Sequence, residues 1–230
     1  MRKLLISLFV LIVIVVGLDI GGRFYAESKA SEAIGQQTGT AAPDVNIHGF
    51  SFLVQAIPGH YQHVTLTSHD VTAGPISGIA ATIELYDVDY PLGDAIKGNS
   101  DNLTAAQATL TGVIPDSEVS AAMNQANVTI SAGADGAIRL STSVTIAGHQ
   151  FPVTADLVAS YSDGTLHLDA TGLTAAGISL SALTNLTKGL SLSLPLKDLP
   201  FTLDAATLTA SGSNLILTAS GNDVRVATAS

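Results

Sequence analysis

Two short constellations in this chain carry residue types that site chemistry uses. Asp87-Val88-Asp89 has the D-x-D form with which sugar-nucleotide transferases hold a divalent ion and a diphosphate between two carboxylates. His60 and His63, with His69 further along, offer imidazoles to a metal ion. Chance and geometry weaken both readings. Three-residue acidic motifs are common, and aspartates alternating with Val88 fit the solvated face of a strand. Residues three apart on a strand point to opposite faces, so His60 and His63 do not converge. His149 and His167 fall at or near turns. Neither G-x-S-x-G nor S-x-x-K occurs, nor a P-loop, HExxH or G-x-G-x-x-G string, and no two carboxylates are paired as acid and base. The expectation is a protein without catalytic, cofactor or metal-ligating residues. A hydrolase or transferase built on Asp87/Asp89 or His60/His63 is the least favoured of three readings.

Composition narrows the class further. Nine Lys+Arg stand against 19 Asp+Glu in 230 residues, so only 12% of positions are charged, about half the usual quarter. Hydrophobic residues make up 47%, which argues against disorder. Polarity comes mainly from Ser and Thr, which suit strands and turns. The net charge of −10 and scattered cations argue against nucleic acid as a partner. Zero Cys excludes disulfides, thiol catalysis and a lipobox cysteine.

Met1-Arg2-Lys3 followed by the uncharged stretch Leu4 to Leu18 reads as an export signal. The stretch, about fifteen residues, is short against the roughly 20 of a comfortable span. Asp19 interrupts it. A signal cleaved with Val15 and Gly17 at the −3 and −1 positions is slightly favoured over a retained anchor. The expected organisation is residues 1–18 as export signal or signal anchor and 19–230 as a single domain, exported to the periplasm or cell envelope.

Past the leader, residues 20–35 read as a helix with Ile20, Phe24, Ala30 and Ile34 on one face and Glu27, Lys29 and Glu32 elsewhere. From Val45 the period becomes two. Val128 and Ile130, Ile138 and Leu140, Val144 and Ile146, Phe151 to Leu157, and Leu166 and Leu168 alternate with polar residues, as half-buried strands do. Ala134-Asp135-Gly136, Ala147-Gly148-His149 and Ser162-Asp163-Gly164 separate them with turn residues, which predicts an antiparallel meander. A short helix follows Pro115, capped by Asp116 or Ser117, and a second runs from about Ser179 to Lys188. Pro195 and Pro200 mark an edge or bend, and Gly212-Ser213-Asn214 the last hairpin. The fold class expected is α+β, a large curled antiparallel sheet with an N-terminal helix and two short helices.

The most distinctive stretch runs from Val45 to Thr67. Phe50 and Phe52 share one side if it is extended, Leu53 to Ile57 form a helical turn if it coils, and Pro58-Gly59 ends it. Such aromatics fill a core or line the mouth of an apolar cavity. Here the sequence resembles the LmeA-like family of exported actinobacterial phospholipid-binding proteins. The family pattern G-F-P-F-L-x-Q-x-x-x-G-x-[FY]-x-x-V-x-[VL] is met by Gly49, Phe50, Phe52, Leu53, Gln55, Gly59, Tyr61, Val64 and Leu66, with Ser51 in place of the commoner Pro. The resemblance extends to Asp163-Gly164, to the L-P-L-x-x-L-P-F block from Leu194 to Phe201, and to the ending from Gly221 to Val226. It implies a fold related to tubular lipid-binding (TULIP-like) domains, binding of anionic phospholipid, and support of mannan elongation on envelope lipoglycans.

The residues expected to line a lipid site are Ile34, Phe50, Phe52, Leu53, Ile57, Val128, Ile130 and Leu157, with Arg23 and Lys29 as headgroup cations. The expected partners are phospholipid or a lipid-linked glycan precursor and the membrane surface. Burying an acyl chain contributes about 0.8 kcal/mol per CH₂, so about twelve methylenes suffice for capture without a specific polar contact. The competing reading is a non-catalytic scaffold for envelope glycosyltransferases, its apolar groove serving as the partner site.

Overall fold

The computed structural model describes residues 2–38, 41–97, 102–123, 128–133, 138–146, 149–175, 192–196 and 202–225. The helix expected at Ser179–Lys188 and the bend at Pro200 lie outside these residues. The helices are α1 (Arg2–Thr38), α2 (Phe52–Ala56), α3 (Leu92–Lys97) and α4 (Asp116–Ala122). The strands are β1 (Asp44–His48), β2 (His60–Ala73), β3 (Ile76–Asp89), β4 (Thr104–Pro115), β5 (Thr129–Ala132), β6 (Ile138–Ile146), β7 (His149–Ser162), β8 (Thr165–Ala175), β9 (Leu192–Pro195), β10 (Ala205–Ser211) and β11 (Asn214–Arg225). They form two sheets, a six-stranded one in the order β1-β2-β3-β4-β11-β10 and a five-stranded one in the order β5-β6-β7-β8-β9. The α+β class with antiparallel sheets holds; the strands divide between two sheets instead of forming one.

The chain divides into two compact units. The first comprises residues 1–68, 83–108 and 222–230, and the second 69–82 and 109–221. The second unit contains the meander. Here β5 to β8 pair in sequence with the register that the hydrophobic alternation demands, Ile130 opposite Leu140 and Ile138 opposite Leu157. Leu140, Val153, Leu157, Leu166 and Leu168 are at most 1% exposed, so one side of this sheet is continuous core. Asp163 and Gly164, at φ +50° and +71°, close the β7–β8 hairpin as the two-residue turn of a right-twisted ribbon requires. Gly212 does the same for β10–β11, where Ser211 pairs Asn214. Pro195 ends β9 on the outer edge of its sheet, where a missing N–H costs least. The N-cap of α4 is Pro115 and not Asp116 or Ser117. Asp116 and Glu118 occupy the first turn instead, where negative charge meets the helix dipole.

The first unit is organised by α1. This helix lies along β1, the edge strand of the six-stranded sheet, and along the residues that follow it. Ser31 Oγ donates to Pro43 O at 2.6 Å, and Glu27 Oε1 accepts from Ile47 N at 2.8 Å. Arg23 Nη2 donates to Gly49 O at 2.9 Å, and Asp19 Oδ1 accepts from Ser51 Oγ and Leu53 N at 2.7 Å each. Asp19, Arg23, Glu27 and Ser31 are four residues apart and so form one row on the helix. The edge strand, which would otherwise present open backbone groups, is thereby served by polar side chains of a helix. This changes the expected facing of α1 in part: Ala30 and Ile34 are half-buried and Lys29 and Glu32 exposed, but Ile20 and Phe24 are 53% and 69% exposed and Glu27 points inward. Desolvated backbone donors and acceptors at the strand edge outweigh a loose apolar stripe.

Candidate functional site

The segment from Gly49 to Gly59 is built around two buried side chains of α2. Ser51 is in extended conformation and caps α2, its hydroxyl accepting from Val54 N. Asp19 approaches the same helix start. The Leu53 amide and, next, the Ser51 hydroxyl donate to its carboxylate and hold it below the ordinary carboxylate range. Phe52 is 8% exposed, lies 6.4 Å from the Tyr61 ring and reaches α1 at Gly22, where a Cβ would stand 3.3 Å from its ring. Gln55, 6% exposed, is the polar hub. Its Nε2 donates to His48 O at 3.1 Å and Ser51 O at 3.2 Å, and its Oε1 accepts from Gln62 N at 2.9 Å. Gly49, at φ +127°, lies against this amide so closely that a side chain there would collide with it. Gly59, at φ +75°, ends the segment, and its carbonyl accepts from Tyr90 N at 2.7 Å.

With Phe52, Gln55 and Ala56 turned inward, the opposite side of α2 is left apolar and open. Phe50 is fully exposed, Val54 is 72% exposed and Ile57 73%. Phe50 and Phe52 therefore face opposite ways, because the chain bends at Gly49-Phe50 and is helical from Phe52 instead of running on as a strand. Ile34 and Leu53 are half-buried. Arg23 is committed to the Gly49 carbonyl while its Nε is buried without a partner, and Lys29 pairs with Glu32 at 2.6 Å. All of these belong to the first unit, Arg23, Lys29 and Ile34 on α1 and Phe50, Phe52, Leu53 and Ile57 in or beside α2, and of the three on α1 it is Arg23 that reaches that segment, at Gly49. Val128, Ile130 and Leu157 belong to the second unit and are at most 4% exposed, within its core.

A polar cleft of about 330 Å³ lies elsewhere in the first unit, lined by His60, Asp87, Asp89, Thr104, Asp223 and Arg225 among others. His60 Nδ1 is 2.8 Å from Asp89 Oδ1, and its Nε2 is 3.9 Å from Asp87. Asp87 and Asp223 both adopt left-handed backbone, at φ +49° and +48°. The structure therefore joins the D-x-D pair to one histidine only. His63 lies in a three-ring stack, 4.4 Å from His48 and 4.5 Å from Tyr86, with Glu84 3.5 Å from its Nε2. The signal that could have found the His60–Asp89 and His63–Tyr86 pairs is symmetry about a hairpin turn, which the pattern of single residues does not give. Both pairs are equidistant from the two-residue turn Gly74-Pro75. Among the described residues, no three His, Asp or Glu side chains are grouped so as to hold a metal ion.

The first unit thus presents an exposed apolar ridge held by a helix docked on a strand edge, a kind of surface that marks interaction sites. The model of the LmeA-like phospholipid-binding family matches residues 17–220, and the chain belongs to that family. Neither the curated proteins nor the solved structures compared with the chain give a match.

Proposed function

We propose that this protein holds or shuttles phospholipid in the cell envelope, without catalysing a reaction on it, and so supports elongation of envelope lipoglycan mannan. The carrying observation is membership of a phospholipid-binding family over residues 17–220. The basic start and apolar run of residues 1–18 support export, with the leader cleaved or kept as an anchor. Under this reading, residues 19–230 act as one lipid-binding domain related to tubular lipid-binding folds. Ile34, Phe50, Phe52, Leu53 and Ile57 of the first unit contribute its apolar contact with lipid and Arg23 and Lys29 the headgroup end, whereas Val128, Ile130 and Leu157 fill the core of the second unit.

Native mass spectrometry of the gently purified chain, with lipid extraction from the same sample, tests the reading. The expected result is a mass increment matched by an extracted phospholipid, together with transfer of labelled phospholipid between vesicles. Only the lipid-free mass, with no transfer, would overturn it.

A further inference from the structure

Among the described residues of the first unit, none covers the ridge formed by Phe50, Val54 and Ile57, whose three side chains are exposed by 104%, 72% and 73%. From Gly49 to Gly59 the sequence carries no Asp, Glu, Lys or Arg, so the ridge offers apolar atoms and almost nothing else. Its position is fixed to α1 by Asp19, which binds Ser51 and Leu53, and by Arg23 at Gly49. Immediately before Asp19, the same helix carries the uncharged run Leu4 to Leu18. On its far side Ile20, Phe24 and Tyr25 are 53%, 69% and 68% exposed. Among the described residues, no helix is long and apolar enough to cross a membrane. As a helix the run is about 22 Å long, against about 30 Å of bilayer hydrocarbon. A run too short for the hydrocarbon draws the residues that follow it toward the headgroup boundary. Those residues are the Asp19–Arg23 clamp and the ridge it holds.

We propose that, in the chain that keeps residues 1–18 as its anchor, the Phe50–Val54–Ile57 ridge is a bilayer-docking surface, seated in the boundary between headgroups and acyl chains beside the apolar run of α1. The proposal rests on the reading that the protein works at phospholipid, and it adds where and how the chain meets the membrane. Docking here is driven by apolar burial and not by cations, because the net charge is −10 and the ridge has no basic residue. An aromatic at its tip suits the interface.

The chain contains no Trp, so a single introduced indole reports alone. Full-length Phe50→Trp is reconstituted into phosphatidylcholine–phosphatidylglycerol vesicles, with and without bromine on the acyl chains. Gln36→Trp serves as the reference, since residue 36 lies about 25 Å further along α1 than Asp19. The expected result is blue-shifted emission at position 50 and loss of intensity with brominated lipid, with neither at position 36. Adding Val54→Asp and Ile57→Asp, both at exposed positions, should reverse the shift and the quenching. Solvent-like, unquenched emission at position 50 overturns the proposal. So does emission that is shielded in native membranes but not in pure lipid vesicles, which would assign the ridge to a protein partner. Native mass spectra of the same samples separate the two readings. Bound phospholipid without quenching removes the docking surface alone, and quenching without bound or transferred phospholipid removes the carrier reading alone.

Discussion

Gln55 gives the sharpest test of how the candidate site is held. Replacing it by Leu keeps most of the side-chain volume but removes both donors and the acceptor, leaving His48 O, Ser51 O and Gln62 N without their partner. The residue is 6% exposed, so water does not readily take its place. Each orphaned group costs about 1 kcal/mol, and the three together about 3 kcal/mol. Because the bonds tie both ends of the segment to one side chain, the loss falls on local opening of residues 48–62. Native-state hydrogen exchange reads that opening directly. The amide of Gln62 is expected to exchange roughly 100-fold faster in Gln55→Leu, since each 1.4 kcal/mol is tenfold. Gln36→Leu, which removes an exposed amide bonded to Glu32 at 3.3 Å, should leave exchange in this segment unchanged. If Gln62 in Gln55→Leu exchanged within about twofold of the parent, the inference that buried unpaired groups set this segment's stability would fail.

Three further outcomes are expected. Gly59→Ala places a Cβ 2.7 Å from Tyr90 O and 2.9 Å from Pro91 Cα at φ +75°, whereas Gly212→Ala at φ +60° meets nothing within 4 Å. Denaturant titration should give a loss above about 2 kcal/mol for the first and about 1 kcal/mol for the second, and equal losses would refute the role of the close approach. Asp19 has a folded pKa below its unfolded value, so its contribution is present above about pH 4 and is lost as pH falls through the lowered value. The Leu53 amide should therefore lose protection in that acid range, and Asp19→Asn should abolish the pH dependence. Leu157→Ala, at a residue 1% exposed and opposite Ile138, should cost about 2–5 kcal/mol by denaturant titration. A smaller loss would show that the second unit's core is not closely packed there.

Much of this architecture is written in local pattern. The meander from Thr129 to Ala175, the Asp163-Gly164 and Gly212 turns and the edge position of Pro195 follow from alternation and from residues that tolerate special backbone. The motif around Gly49, Phe52, Gln55 and Gly59 also marked the segment that the tertiary structure makes a unit, and it carried the family resemblance. Neighbouring positions in the sequence suffice for such features, because strand period and turn geometry depend on a few residues at a time.

Other features needed the fold. Residues 20–35 present both an apolar stripe and a polar row, and periodicity favoured the stripe. Only the backbone of β1, of its flanking residues and of the start of α2 selects Asp19, Arg23, Glu27 and Ser31 as the docking row, since unpaired groups there require donors and acceptors. Phe50 and Phe52 are two residues apart in the same motif, yet one is fully exposed and the other is buried against Tyr61, because the chain bends at Phe50 and a helix capped by Ser51 starts at Phe52. His60 and the D-x-D aspartates are likewise ordinary residues until β2 and β3 pair. The sequence by itself therefore determined the strand-rich class, the turns and the family. The tertiary structure decided which faces are inside and which apolar side chains remain open, because burial depends on the partner a face meets and not on the face alone.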